Sequence, residues 1–193
     1  MSMSPALRKV TLTVHIACSV GWLGAIAAYI ALNIPALTSD NIQTTRAAYL
    51  MMLPVGWYVI VPLAIATLLT GITLSLGTAW GLFRHYWVVF SLIITVFAAT
   101  VLLSHMADVS ALAAMAADAN ADISHLSGDL AHSIGGLLVL LVPLVLNIYK
   151  PRGLTRYGRR KQRTPSSPPA GSDLADPDRS PPGVATQRRA QPR

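Results

Sequence analysis

The stretch YWVVFSLIITVFAATVLL, from Tyr86 to Leu103, contains 18 consecutive residues without a charged side chain. A helix needs roughly 20 mostly apolar residues to cross about 30 Å of hydrocarbon, so this run predicts a membrane-spanning helix. Three further stretches have the same character, at about residues 10–34, 52–76 and 130–149, and none contains Asp, Glu, Lys or Arg. The sequence therefore predicts an all-α fold, a bundle of four transmembrane helices that run up-down-up-down.

The composition of the 193-residue chain agrees with a membrane protein. It is 53% hydrophobic and only 12% charged, whereas soluble proteins carry about 25% charged residues. The net charge of +7 invites comparison with nucleic-acid-binding proteins. The basic residues lie just outside the apolar stretches, as expected of residues that face lipid headgroups. We therefore expect the lipid bilayer, and no nucleic acid, as the partner.

The positive charges predict the orientation of the bundle. Fourteen of the 15 Lys and Arg residues lie before the first stretch, between the second and third, or after the fourth, and only Arg46 lies in the other two loops. Cytoplasmic loops carry an excess of Lys and Arg, so both termini are expected in the cytoplasm, with the bundle in the cell (inner) membrane. A cleaved signal peptide is the alternative for the first stretch, but that stretch continues to Ile34 and is too long for one.

The chain is expected to consist of a folded region and a disordered region. Residues 1–161 form the predicted transmembrane domain, and residues 162–193 form a basic tail rich in Pro and Ser. Such a tail cannot bury enough apolar surface to fold, so a disordered cytoplasmic segment is expected. Basic residues just after the fourth stretch are expected to contact anionic lipid headgroups. These residues are Arg156, Arg159, Arg160, Lys161 and Arg163.

Small residues form a stripe along the first predicted helix. At helical spacing they share one face, and a small-xxx-small pattern predicts close approach of a neighbouring helix. The members of this stripe are Ala17, Gly21, Gly24, Ala28 and Ala31. The same spacing puts His15, Ser19 and Trp22 on the opposite face.

Histidines are the candidate site residues, because they are the titratable side chains in or near the predicted spans. His105 shares a polar stripe with Ser91 and Thr95, and His132 shares one with Gly136. Both stripes are expected to face the bundle interior. His105 and His132 also lie at similar depth near the outer edge, so they are predicted to lie close together and to bind a cofactor, with haem b or a metal as the candidates.

His15 is the third cofactor-binding candidate, at a different depth near the cytoplasmic edge. The chain contains no phosphate loop, zinc signature or nucleophile elbow. We therefore assign no catalytic residue and no separate set of metal ligands, and we expect a protein that is not an enzyme.

Parts of the sequence resemble known families. The stretch HIACSVGWLG, His15 to Gly24, resembles the first helix of the copper resistance protein D group. The stretches WGLFRHYW, Trp80 to Trp87, and YKPRGLTRYG, Tyr149 to Gly158, resemble a family of uncharacterised bacterial four-span membrane proteins. The second resemblance covers about residues 7–161 and implies a bacterial origin, but it implies no activity.

The function expected from the sequence is that of a multi-pass membrane protein with a non-enzymatic accessory or binding role. One alternative is a haem-binding membrane redox protein that uses His105, His132 and His15. Another alternative is a protein that handles copper or transports a small solute. An absorbance spectrum separates the first alternative from the others, because bound haem gives a Soret band.

Overall fold

The computed structural model describes residues 3–78, 81–123, 126, 128–151 and 153–163. Its helices pack against one another, and these residues form no strand beyond an isolated bridge between His85 and Leu154. The helices are α1 (Pro5–Thr38), α2 (Ile42–Val55), α3 (Val61–Gly77), α4 (Tyr86–Ala117), α5 (Leu130–Tyr149) and the short α6 (Arg156–Arg163). The predicted all-α fold is confirmed. The tail residues 164–193 lie outside the described residues.

Four helical segments are long and apolar enough to cross a membrane, which supports a multi-pass membrane protein. The second segment, Ile42–Gly77, consists of α2, a π-helical turn at Gly56–Ile60, and α3. The π turn lies directly before Pro62, whose missing N–H leaves the carbonyl four residues earlier without its α-helical partner.

The packing closes the bundle around a shared interior. Helix α1 packs against α2, α3 and α5, and α4 packs against the same three helices. Large side chains from several helices form the core, namely Trp22, Ile26, Tyr29, Tyr49, Met52, Ile60, Met106 and Leu140. We call the end of the bundle with Met3, which donates to the Gly77 carbonyl at 3.3 Å, the terminal end, and the other the distal end.

At the distal end the helices continue beyond the apolar stretches. Only residues 39–41 connect α1 to α2, and Asn41 caps α2 by accepting a hydrogen bond from the Gln43 N–H at 2.9 Å. Helix α4 continues to Ala117, through the Ala-rich region that follows the third apolar stretch. The length of an apolar run matches the thickness of the membrane, and a helix can continue beyond it. The helix ends predicted from hydropathy therefore came before the ends in the structure.

The Arg46 guanidinium joins α2 to the distal end of α4. It donates hydrogen bonds to the backbone carbonyls of Ala116 at 3.0 Å, Asp118, Ala119 at 3.3 Å and Ala121 at 2.7 Å. These carbonyls lie at the end of α4 and just beyond it, where helical carbonyls lack partners and the helix dipole is negative. Arg46, on α2, therefore serves as a cap for the end of α4.

At the terminal end the chain after α5 folds back onto the turn between α3 and α4. The Tyr86 N–H donates to the Gly153 carbonyl at 3.3 Å, and the Thr155 N–H donates to the Arg84 carbonyl at 3.0 Å. The Thr155 hydroxyl then accepts a hydrogen bond from the Gly158 N–H at 3.1 Å and caps α6. This docking holds the basic helix α6 beside the terminal end of the bundle.

The small-residue stripe of α1 does not form the predicted extended contact with another helix. Within it Gly21 is half-buried, and a Cβ there would lie 3.5 Å from Leu63 of α3, but the other four members are exposed, so the prediction of a close-packed stripe was wrong. Ala17, Gly24, Ala28 and Ala31 are exposed, and no atom lies within 4 Å of a Cβ placed on Gly24. The buried face of α1 is instead Trp22, Ala25, Ile26, Tyr29, Asn33 and Ala36. A stripe of small residues permits close approach, but the larger side chains on this other face bury more surface in the interior.

The buried face of α1 can be tested by substitution. Ala25→Leu is expected to lower the free energy of unfolding by about 1–3 kcal/mol, because added methyl groups overpack a filled core. Gly24→Leu is the matched control and is expected to cause no loss, because its side chain enters open space and leucine is the better helix former. Thermal unfolding in detergent measures both. A larger loss for Gly24→Leu than for Ala25→Leu would contradict the burial described for α1.

The docking of α6 gives a second test. A Cβ on Gly158 would lie 2.5 Å from the Arg84 carbonyl oxygen, which is backbone and cannot move aside easily. Gly158→Ala is therefore expected to undock α6 and to speed tryptic cleavage at Arg156, Arg159 and Arg160. The control is Gly153→Ala, whose Cβ makes an ordinary 3.5 Å contact with Tyr86. Alanine favours helix over glycine, so the substitution itself is not expected to unfold α6. Faster cleavage would therefore indicate that α6 has undocked from the bundle. Equal cleavage in the two variants would contradict the docking.

Candidate metal centre

His105 and His132 lie together near the distal end, as predicted. Their imidazole rings stack with centroids 3.8 Å apart and an angle of 15° between the planes. His105 lies on α4 and His132 lies in the first turn of α5, so the pair joins two different helices. Centroids of ordinary aromatic pairs are about 4.5–7 Å apart. The two rings are therefore closer than normal packing of aromatic side chains requires.

Asp129 completes the cluster and was not predicted. Its carboxylate is almost fully buried, and Oδ1 lies 2.6 Å from Nε2 of His105. The two atoms are within ion-pair distance, but their directions do not satisfy hydrogen-bond geometry, and neither atom has another hydrogen-bond partner in the described structure. One ligand atom from each of His105, Asp129 and His132 lies within 4.8 Å of the others. The arrangement is a compact set of two imidazoles and one carboxylate.

The backbone around Asp129 is held in place from two sides. Gly128 has a φ of +65°, a left-handed conformation that other residues rarely adopt, and a Cβ there would lie 2.7 Å from the Leu37 side chain. The Asp129 N–H donates to Oδ1 of Asn33 at 3.0 Å, and the Asn33 amide in turn donates to the Tyr29 carbonyl at 3.1 Å. Asn33 is fully buried. The carboxylate is thus fixed relative to both α1 and α5.

Asp108 fixes the other side of His105. Its Oδ2 lies 3.2 Å from Nδ1 of His105, one helical turn away on α4. A carboxylate beside one ring nitrogen is an arrangement found around metal-binding histidines, in which it orients the ring. Asp108 is exposed, whereas the His105 side chain is largely buried. Its two ring nitrogens thus lie beside two carboxylates, Nδ1 beside Asp108 and Nε2 beside Asp129.

His15 is not part of this cluster. Its Nδ1 lies 3.0 Å from the Thr70 hydroxyl, and its ring packs over Gly71, where a Cβ would approach it to 3.1 Å. It lines a separate cavity of about 580 Å³ toward the terminal end. His85 precedes α4 and bridges to Leu154, and His125 lies outside the described residues. Of the three histidines predicted to bind a cofactor, the structure brings together two.

The stacked rings do not fit a haem held between His105 and His132. Axial imidazoles lie on opposite faces of the porphyrin, with the iron between them. Rings stacked at 3.8 Å leave no space for that plane. Two imidazoles and a carboxylate on the same side of a small space fit a single metal ion, because imidazole and carboxylate are its ordinary nitrogen and oxygen ligands.

Helical spacing in the sequence carries a signal that Asp129 and Asp108 are neighbours of the two histidines. Asp129 precedes His132 by three residues, and Asp108 follows His105 by three. Residues three apart on a helix are neighbours on its surface. Asp129 is the residue from which α5 begins. No sequence signal identified Asn33, which lies in α1, 96 residues before its partner.

Comparison with known proteins gave no match. No protein-family model, no curated protein and no solved structure matches the chain. The two resemblances noted in the sequence therefore stay hypotheses.

Proposed function

We propose that this membrane protein binds one divalent first-row transition-metal ion through His105, Asp129 and His132, in a non-enzymatic binding role. The observation that carries the proposal is the buried Asp129 carboxylate, 2.6 Å from His105 Nε2 without hydrogen-bond geometry and close to His132. A cation bound by both atoms would supply the interaction that a hydrogen bond does not. Zinc, copper, iron and nickel all accept imidazole and carboxylate ligands.

The physical cost of the cluster supports this proposal. A buried carboxylate without full compensation is expensive, and a charged or polar group within a membrane bundle is usually functional. A divalent cation offsets the negative charge and uses the imidazole lone pair at the same time. Three protein ligands also leave one coordination position open, as in sites that exchange their metal or bind a further ligand.

The direction of metal access follows from the proposed topology. The excess of Lys and Arg at the terminal end supports a cytoplasmic location for both termini in a bacterial inner membrane. The distal cluster then lies near the outer surface, where the metal enters. Helix α6, with Arg156, Arg159 and Arg160, then lies at the cytoplasmic surface, where anionic lipid headgroups are its proposed partners.

Metal titration tests the proposal. Purified protein in detergent, first treated with a chelator, is expected to bind one Zn²⁺ or one Co²⁺ per chain, with visible d–d bands for cobalt. Asp108→Asn is expected to weaken binding by about 10–100-fold, because it removes the group that orients His105. Asp129→Asn and His132→Ala remove ligands and are expected to weaken binding more than Asp108→Asn does. Isothermal titration measures the affinities.

His15→Ala is the control, because His15 is a half-buried histidine that belongs to a different cavity. It is expected to leave metal affinity unchanged. Equal affinities for the unmodified protein and Asp129→Asn would exclude the cluster as the site. No binding in a folded protein would instead make His105 and Asp129 an ion pair with a structural role, and a Soret band in the untreated protein would favour the haem alternative.

A further inference from the structure

A cavity of about 260 Å³ lies against the metal-ligand cluster. His105, Asp129 and His132 form part of its wall. Most of the remaining wall is aliphatic or aromatic, and it includes Trp22, Tyr29, Phe97, Ile60, Leu102 and Leu140. The cavity thus combines a polar end with apolar sides, which is the composition of sites for small organic ligands.

The cavity is lined by residues that also face the lipid. Phe97 on α4 is 62% exposed, and Gly135 and Val139 on α5 are exposed as well. No atom lies within 4 Å of a Cβ placed on Gly135 or on Gly136. The gap between α4 and α5 therefore offers a lateral path from the hydrocarbon region to the cluster. A molecule that uses this path has to be soluble in the membrane and uncharged.

A buried donor in the cavity wall favours a ligand with an acceptor oxygen. Trp22 is 3% exposed and its Nε1–H has no hydrogen-bond partner among the described residues. Tyr29 is 5% exposed, and its hydroxyl lies beside the Asp129 carboxylate, which is an acceptor for it. Unpaired buried donors are destabilising. A carbonyl oxygen supplies the missing acceptor, and an open metal position takes the same kind of atom.

We propose that the cavity binds the head group of a lipid-soluble quinone, with one carbonyl oxygen directed at the His105–Asp129–His132 cluster. A quinone is neutral, its ring is flat and suits the aromatic side chains of Trp22, Tyr29 and Phe97, and its oxygens are acceptors. It enters along the α4–α5 gap from the bilayer. The proposal deepens the metal-binding function by naming a ligand of the same site, and its metal contact rests on that function.

Cavity filling tests this proposal in the full-length protein. The protein is placed in phosphatidylcholine nanodiscs, and decyl-substituted benzoquinone is added while tryptophan fluorescence is recorded. Saturable quenching is expected, because Trp22 lines the cavity. Gly136→Leu is expected to weaken quinone binding by about tenfold or more, since the new side chain enters the cavity. Its affinity for Zn²⁺ is expected to stay within about twofold of the unmodified protein, because no ligand is removed.

Gly24→Leu is the matched control. Gly24 is also exposed and also has open space at its Cβ position, but it lines neither cavity. It is expected to retain full quinone binding. Gly135→Leu serves as a second filling variant, and thermal unfolding establishes that each variant is folded.

The outcomes separate the two proposals. Zinc binding by the protein together with quinone binding that is lost in Gly136→Leu or Gly135→Leu supports both. Zinc binding without saturable quenching, or equal quenching in the filled and control variants, overturns the quinone proposal and leaves the metal function. Quinone binding that is lost on filling, in a protein that binds no metal, overturns the metal function and leaves Trp22 and Tyr29 as the groups that hold the quinone.

Discussion

The hydrogen bond from the Asp129 backbone N–H to the Asn33 side chain is the constraint on which the distal half of the bundle depends. In a membrane bundle no water is at hand to satisfy a buried N–H, so the protein has to supply the acceptor. Asn33 does so from α1, with its own amide donating to the Tyr29 carbonyl. This bond fixes where α5 begins, and thereby the distance of His132 from α4. Ser133 strengthens the same corner, since its hydroxyl donates to the Asp129 carbonyl at 2.8 Å.

Charge is distributed differently at the two ends of the molecule. At the distal end the Arg46 guanidinium donates hydrogen bonds to backbone carbonyls at the end of α4. It does not contribute to the His105–Asp129 cluster. That cluster therefore holds two imidazoles against acidic side chains, with no Lys or Arg among its described contacts. At the terminal end the basic residues of α6 lie beside the bundle. An electrophilic ion suits the distal end, and an anionic surface suits the terminal end.

The sequence was sufficient for the number of spans and for the pairing of His105 with His132, because both follow from apolar length and helical spacing. It was insufficient where the position or burial of a residue depends on a contact with a residue far away in the sequence. The small stripe of α1 shows which residues allow close approach, but not that the buried face would be the one with Trp22 and Tyr29. Asn33 and Asp129 are 96 residues apart, and no periodic pattern connects them. The cavity also depends on how α4 and α5 pack, which composition does not encode.

The π turn at Gly56–Ile60 sets the rotational phase of the second span. Buried residues recur there at Met52, Gly56, Ile60 and Ala64, four apart. On a regular α-helix each such step drifts by about 40°, so the four would leave a common face. The wider π turn removes part of this drift and keeps α3 aligned so that Thr70 reaches His15. A deletion of one residue inside this turn would convert it to regular helix and preserve the faces on both sides. The same deletion elsewhere in the span would rotate everything beyond it by about 100°, so tolerance to shortening is concentrated at this one turn of the helix.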